Sequence, residues 1–179
     1  MKTTIYVGVS LDGYIARKNG EIGWLAPFQS DEVATSYRDF CETIDVFVIG
    51  RGTFETALSL PAWPYDKQVI VLSSTLRSLP DDLHSRVELA SAPPRSLLSG
   101  LSRRGFTSAY VDGGKVIQSF LREDCIDEMI LTRVPLLLGG GIPLFGELSQ
   151  ALRFTHAESV SYKNGLVKSR YLRFRNTDR

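Results

Sequence analysis

A chain of 179 residues, 43% hydrophobic and 23% charged, is expected to fold as one domain, 1–179, with enough core to stand alone. Its formal net charge of +1 gives no electrostatic reason to expect nucleic acid or an anionic membrane surface as partner. Cys41 and Cys125 lack any signature spacing and are not clustered with His84 or His156, which argues for free thiols in a reducing compartment and against a zinc site. No secretory leader pattern and no membrane-length apolar run is present, so the expected location is cytoplasmic.

Thr4–Ser10 reads as a buried strand, broken at Leu11-Asp12-Gly13 and resumed briefly at Tyr14-Ile15-Ala16. Ser30 suits a helix N-cap, with Asp31 and Glu32 in the first turn. Val33, Ala34, Tyr37, Phe40, Cys41 and Ile44 then recur at helical spacing and predict one face packed on a sheet. Asp45–Ile49 is an unbroken apolar strand of the kind buried on both faces. Gly50-Arg51-Gly52-Thr53 ends it, and a short helix is expected over Phe54–Leu58. Gln68–Leu72 and Val87–Ala90 are further strands, the first ending in Ser73-Ser74-Thr75. Pro94 opens a helix whose apolar face is Leu97, Leu98 and Leu101.

Ala109–Val111 then stops at Asp112-Gly113-Gly114, and a helix follows with Val116, Ile117, Phe120 and Leu121 on one face. Two glycines between strand and helix let a ligand approach the backbone and leave the first helical N–H groups open to an anion. The same residues also fit a tight turn with Asp112 as N-cap. Ile126–Val134 is the last strand of the alternating series, followed by the glycine-rich loop Leu136–Gly146. Leu144 and Ala109 exclude the dinucleotide and Walker A fingerprints respectively. Asn164-Gly165 joins Phe154–Tyr162 to Leu166–Phe174 as a two-residue hairpin. The pattern predicts an α/β sheet, parallel with an antiparallel edge.

Three strand ends carry anion-friendly residues: Gly50-Arg51-Gly52-Thr53, Ser73-Ser74 and Gly113-Gly114-Lys115. In an open parallel sheet ligands lie beyond the carboxyl ends of the strands, so three such ends together suit a dinucleotide with several phosphates. Arg51 can hold a phosphate bidentately and the serines can cap another, or all three can be ordinary surface and turn residues. Asp12 and Asp31 are the carboxylates nearest this rim, either as proton carriers and substrate anchors or as turn and helix-cap acids. Thr132 is the polar residue inside an apolar strand. Ser10 has neither a nucleophile elbow nor a histidine partner.

The ordered set Gly8–Ala16, Ile49–Glu55, Val71–Ser74, Asp112–Gly114, Leu131-Thr132 and Leu138–Phe145 resembles the dihydrofolate reductase superfamily, in particular its bacterial branch related to the reductase domain of riboflavin biosynthesis. The resemblance implies a three-layer α/β/α sandwich with a mixed, mainly parallel eight-stranded sheet and a C-terminal antiparallel hairpin. It implies NADPH as cofactor and hydride transfer to a pterin-like, pyrimidine-like or other small heterocyclic or carbonyl substrate. Gly50, Arg51, Thr53, Ser73 and Ser74 would serve the phosphates of the adenine half; Gly113, Gly114, Lys115 and Val116 the pyrophosphate; Val9, Ile15 and Ala16 the nicotinamide. Asp31 would grip the substrate beside Thr132, with Asp12 the alternative anchor and Lys67 the nearest candidate for an anionic substrate tail. The family often forms homodimers, here expected through the hairpin and the Leu136–Phe145 loop; no metal is implied. The rival expectation is a non-catalytic nucleotide- or ligand-binding protein on the same scaffold.

Overall fold

The structure, a computed structural model, describes residues 1–175; residues 176–179 of the expected domain lie outside the described residues. Strands β1 (Lys2–Ser10), β2 (Tyr14–Ala16), β3 (Val46–Gly50), β4 (Gln68–Leu72), β5 (Val87–Ala90), β6 (Ser108–Asp112), β7 (Glu128–Val134), β8 (Ile142–Pro143), β9 (Phe154–Ser161) and β10 (Val167–Arg173) alternate with helices α1 (Asp31–Glu42), α2 (Arg51–Leu58), α3 (Pro94–Arg103) and α4 (Gly114–Arg122). Eight strands form one sheet in the order β5-β4-β3-β6-β1-β7-β10-β9, and β2 and β8 pair separately. Every pair from β5 to β7 is parallel, whereas β10 and β9 are antiparallel. The expected α/β/α sandwich is therefore present.

Alternation along the strands sorts the core into two layers. Ile5, Val7 and Val9 of β1 and Val111 of β6 pack beneath α3 and α4, whose Leu97, Leu101, Val116, Ile117 and Phe120 are buried. Tyr6, Phe47, Ile49 and Tyr110 face the other way, with Phe54 of α2 and Phe40 and Cys41 of α1. The apolar stripe of α1 does meet the sheet as its spacing predicts, yet no residue of the helix is fully buried.

Several local expectations shift. Helix α2 begins at Arg51, so Arg51-Gly52-Thr53 form its first turn rather than a loop before it. The closing hairpin has a three-residue loop: Tyr162 N–H donates to the Leu166 carbonyl, and Gly165, at φ +87°, donates back to the Tyr162 carbonyl. That is a turn with a left-handed glycine, which Asn-Gly serves as well as it serves a two-residue turn. Inside the glycine-rich loop, β8 pairs with β2, a contact too short for periodicity to reveal.

Candidate functional site

Six parallel strands present their carboxyl ends on one rim, and all four helices start there. The three turns singled out in the sequence meet along it. Gly50 pairs with Leu72, just before Ser73, and Ile49 with Asp112, just before Gly113. Arg51 Nη1 donates to Thr75 Oγ1 at 3.2 Å, bridging two of the turns. Gly113 of the third turn, at φ +97°, lies so close to the first that a Cβ would stand 2.8 Å from Thr53 Oγ1 and 3.4 Å from the Gly50 nitrogen. A side chain there is excluded by conformation and space alike.

Gly113 is also the N-cap of α4 and contributes no side-chain cap. The expected capping role of Asp112 is therefore not realised. The first N–H groups of α4 lack a side-chain acceptor, which is the geometry that receives an anion. Lys115 is exposed beside them and Val116 is buried beneath, packed towards Gly50. Arg51 is exposed and has an i,i+4 partner, Glu55, at 3.4 Å. Ser73 Oγ accepts from the Thr75 and Leu76 N–H groups, so it shapes its turn; Ser74 is exposed.

The sheet opens where the chain reverses direction across it. The register of β1 with β6 runs only from Lys2↔Ser108 to Thr4↔Tyr110, although both strands continue. On its other side β1 stays paired with β7 up to Ser10↔Val134. Beyond the parting, the Tyr6 carbonyl accepts from the Tyr110 hydroxyl at 2.6 Å instead of a strand partner. Gly8–Ser10 and Asp112-Gly113 thus flank the parting of β1 and β6, and the crevice expected at such a topological switch point is the usual ligand position in these sheets. The β2–β8 pair packs on the Gly113 side: Ile15 and Ile142 approach Gly114, and Gln118 of α4 donates to the Pro143 carbonyl at 2.9 Å. Ala16 is buried in this strap, and Val9 is buried in the core on the α4 side.

The acids divide by environment. Asp12 accepts from Ser10 Oγ at 2.6 Å and from the Leu138 and Gly139 N–H groups at 3.1 and 2.8 Å. These bonds, the Ser10 hydroxyl first, hold its pKa below the usual carboxylate range and pin the glycine-rich loop to the end of β1. Asp31 is exposed on the first turn of α1, behind the Ser30 cap. Thr132 is buried in β7, opposite Gly8. The α1 residue that reaches this neighbourhood is Ser36, through Lys168 at 2.6 Å, rather than Asp31. Asp112, noted in the sequence only as a possible cap, is the perturbed acid: burial pushes it up to about 6, against the lowering effect of the Gly113 N–H. It shares its side of β6 with Tyr110, opposite to Val111, and so lies on the sheet face that α1 and α2 cover rather than the face of α3 and α4. A carboxylate immediately before a Gly-Gly turn at a strand end was the available signal.

Lys67 is a correction. Its ammonium donates to the carbonyls of Cys41, Glu42 and Ile44, capping the C-terminus of α1 at the opposite end of the sheet. It is therefore unavailable to a substrate at the rim. Trp24, also unforeseen as a site residue, is buried over the end of β7 with an indole N–H that has no acceptor among the described residues.

Comparison with known proteins agrees with this architecture. Residues 2–168 match the family model of the RibD C-terminal domain. The chain is 38% identical over 151 residues to the uncharacterized protein YwjB of Bacillus subtilis (strain 168), covering 83% of this chain and 84% of that one. It is similar to the crystal structure of a putative riboflavin biosynthesis protein from Shewanella sp. PV-4, with TM-score 0.91 and 41% identity over 98% of this chain and 100% of that one. Dihydrofolate reductase from Enterococcus faecalis, solved with NADP(H), shares the fold at TM-score 0.68 and 15% identity, covering 96% of each chain. The scaffold is thus that of the dihydrofolate reductase-like reductases. The chain belongs to the RibD C-terminal domain family, a reductase-type family.

Proposed function

We propose that the protein is an NADPH-dependent reductase that transfers hydride to a small planar heterocycle or a related carbonyl or imine compound. The observation that supports it most is the contact of three rim turns, at Arg51, Ser73 and Gly113, beside a crevice where β1 and β6 part. The donor set suits a phosphorylated dinucleotide: a guanidinium and hydroxyls at one end, a glycine cradle with open helix N–H groups in the middle. Bound NADPH would supply the hydride. Arg51, Thr53, Ser73 and Ser74 take the adenine-side phosphates; Gly113, Gly114, Lys115 and Val116 seat the pyrophosphate; Val9, Ile15 and Ala16 border the nicotinamide.

The chain contributes position and proton control rather than a nucleophile. The β2–β8 strap, held by Asp12, closes one side against water. Asp112, pushed up to about 6, is the group best tuned to hold or deliver a proton at the acceptor's N–H or carbonyl edge near neutral pH. Thr132, buried in β7 opposite Gly8, borders the substrate side of the crevice, and Asp31, exposed on the first turn of α1, would reach only the substrate's periphery. A cytoplasmic homodimer fits the two free thiols and the exposed Leu137, Phe145, Val160 and Val167 on the loop and hairpin. No helix among the described residues is long and apolar enough to cross a membrane.

Titration with NADPH, followed by the emission of Trp24 and Trp63, tests the reading. Saturable quenching is expected, together with NADPH oxidation on some member of a pterin, pyrimidine and carbonyl panel. No spectral change at high micromolar NADPH rejects it; binding without turnover leaves the scaffold as a non-catalytic binding protein.

A further inference from the structure

We propose that Tyr110 is a positioning residue whose hydroxyl keeps β1 and β6 parted, and so holds open the place where the reductase reading puts the acceptor and the nicotinamide. Its part in the reaction rests on that reading; the strut itself rests on the strand register. The Lys2 N–H donates to the Thr107 carbonyl and the Asp127 N–H to the Thr3 carbonyl. Even-numbered residues of β1 therefore turn their backbone groups to β6 and odd-numbered ones to β7. One step beyond Thr4↔Tyr110, the parallel ladder would pair Tyr6 with Asp112 and give the Gly113 N–H to the Tyr6 carbonyl. Neither strand runs out first: β1 stays paired with β7 up to Ser10, and β6 with β3 up to Asp112.

The step is missing because the carbonyl is already taken. The Tyr110 hydroxyl donates to it at 2.6 Å, in a bond buried from water. The ring is buried as well, its centre 5.2 Å from that of Phe40, 5.6 Å from Phe47 and 6.3 Å from Tyr37, so it is packed in this one position. Closing the ladder would exchange one hydrogen bond for another and leave a buried hydroxyl without an acceptor, which costs stability. With phenylalanine in its place the balance reverses. The Tyr6 carbonyl would then be buried without a donor, and the Gly113 N–H is the group the register offers it. Left out of the ladder, that N–H acts on the Asp112 carboxylate, and Gly113 keeps the positive φ that sets it against Thr53. Tyr110 thus acts through the backbone on Asp112 and on the glycine cradle together.

The test is hydrogen exchange of the Gly113 amide in the full chain, followed by NMR beside the Val111 amide, which the Thr4↔Tyr110 pair places inside the ladder. In the native protein Gly113 should exchange at least about tenfold faster than Val111. Tyr110→Phe should slow Gly113 by roughly three- to tenfold, the worth of one backbone hydrogen bond, and lower kcat by about tenfold or more as the cradle shifts. Replacing Tyr110 by 4-aminophenylalanine, which restores a donor, should reverse both effects. Tyr37→Phe, in the same aromatic cluster, should leave the Gly113 amide unchanged. A native Gly113 as protected as Val111, an unchanged Gly113 in folded Tyr110→Phe, or equal slowing in Tyr37→Phe overturns the strut and leaves Tyr110 as a core tyrosine. NADPH titration of the same samples keeps the two readings apart. A native chain that binds no NADPH while Gly113 responds as stated rejects the reductase, whereas binding and turnover without the Gly113 response reject only the strut.

Discussion

The two ends of the central sheet treat charge in opposite ways. At the amino ends of the strands, the acids are matched. Asp45 accepts from the Thr107 hydroxyl and the Thr107 and Ser108 N–H groups, which hold it at about 2. Asp127 meets Thr3 and Arg175, Asp124 meets Arg173, and buried Glu128 lies between Lys2 and Arg170. At the carboxyl ends, Asp112 has no cationic partner among the described residues, Lys115 is exposed, and Lys168 has only a hydroxyl. One end uses its polar groups to fasten strands, where each pairing offsets desolvation. The other leaves donors and an acid uncompensated, which costs stability and is the ordinary mark of a site.

The contrast can be broken from either end. The largest effect is expected from Glu128→Ala, which leaves Arg170 and Lys2 facing a buried gap. Unfolding in urea should show a loss of about 3 kcal/mol, limited because the two cations left behind are partly exposed and rehydrate, while NADPH affinity of the folded protein stays unchanged. A loss of cofactor affinity without a loss of stability would mean that the two ends are not separate in function.

Asp112→Asn should do the reverse. The folded pKa of about 6 stands above the ordinary 3.8, so the folded protein holds a proton that the unfolded chain releases in between. Stability of the native chain therefore falls as pH rises from about 4 to 6, by roughly 2–3 kcal/mol, and stays lower above that. The asparagine variant should lack this slope, be the more stable protein at pH 8, and turn over acceptor far more slowly. A variant less stable at pH 8 would assign Asp112 to structure.

The smallest effect is expected from Arg51→Ala, an exposed residue whose ion pair with Glu55 contributes little. It should weaken NADPH by about tenfold, or 1.4 kcal/mol, more than it weakens NADH, with no change in melting temperature. Equal weakening of both cofactors in paired titrations would remove Arg51 from the extra phosphate.

Much of this was legible along the chain. Alternation and 3.6-residue periods located β1, β3, β4, β6 and all four helices, because those signals depend on neighbours a few residues away. The glycines at 113 and 114 marked the cradle, since a strand-to-helix turn at positive φ has few other solutions. What a residue does with its charge was decided elsewhere. Asp12 is a clamp because Leu138 and Gly139, 126 and 127 positions away, offer it their N–H groups. Lys67 is a helix cap because β4 begins beneath the end of α1. Lys168 reaches Ser36 across 132 positions, and Asp112 is perturbed because the fold buries it away from water. Local sequence determines backbone form through short-range sterics and solvation. Electrostatic role depends on desolvation and on partners within a few ångströms, and only the folded chain brings those together.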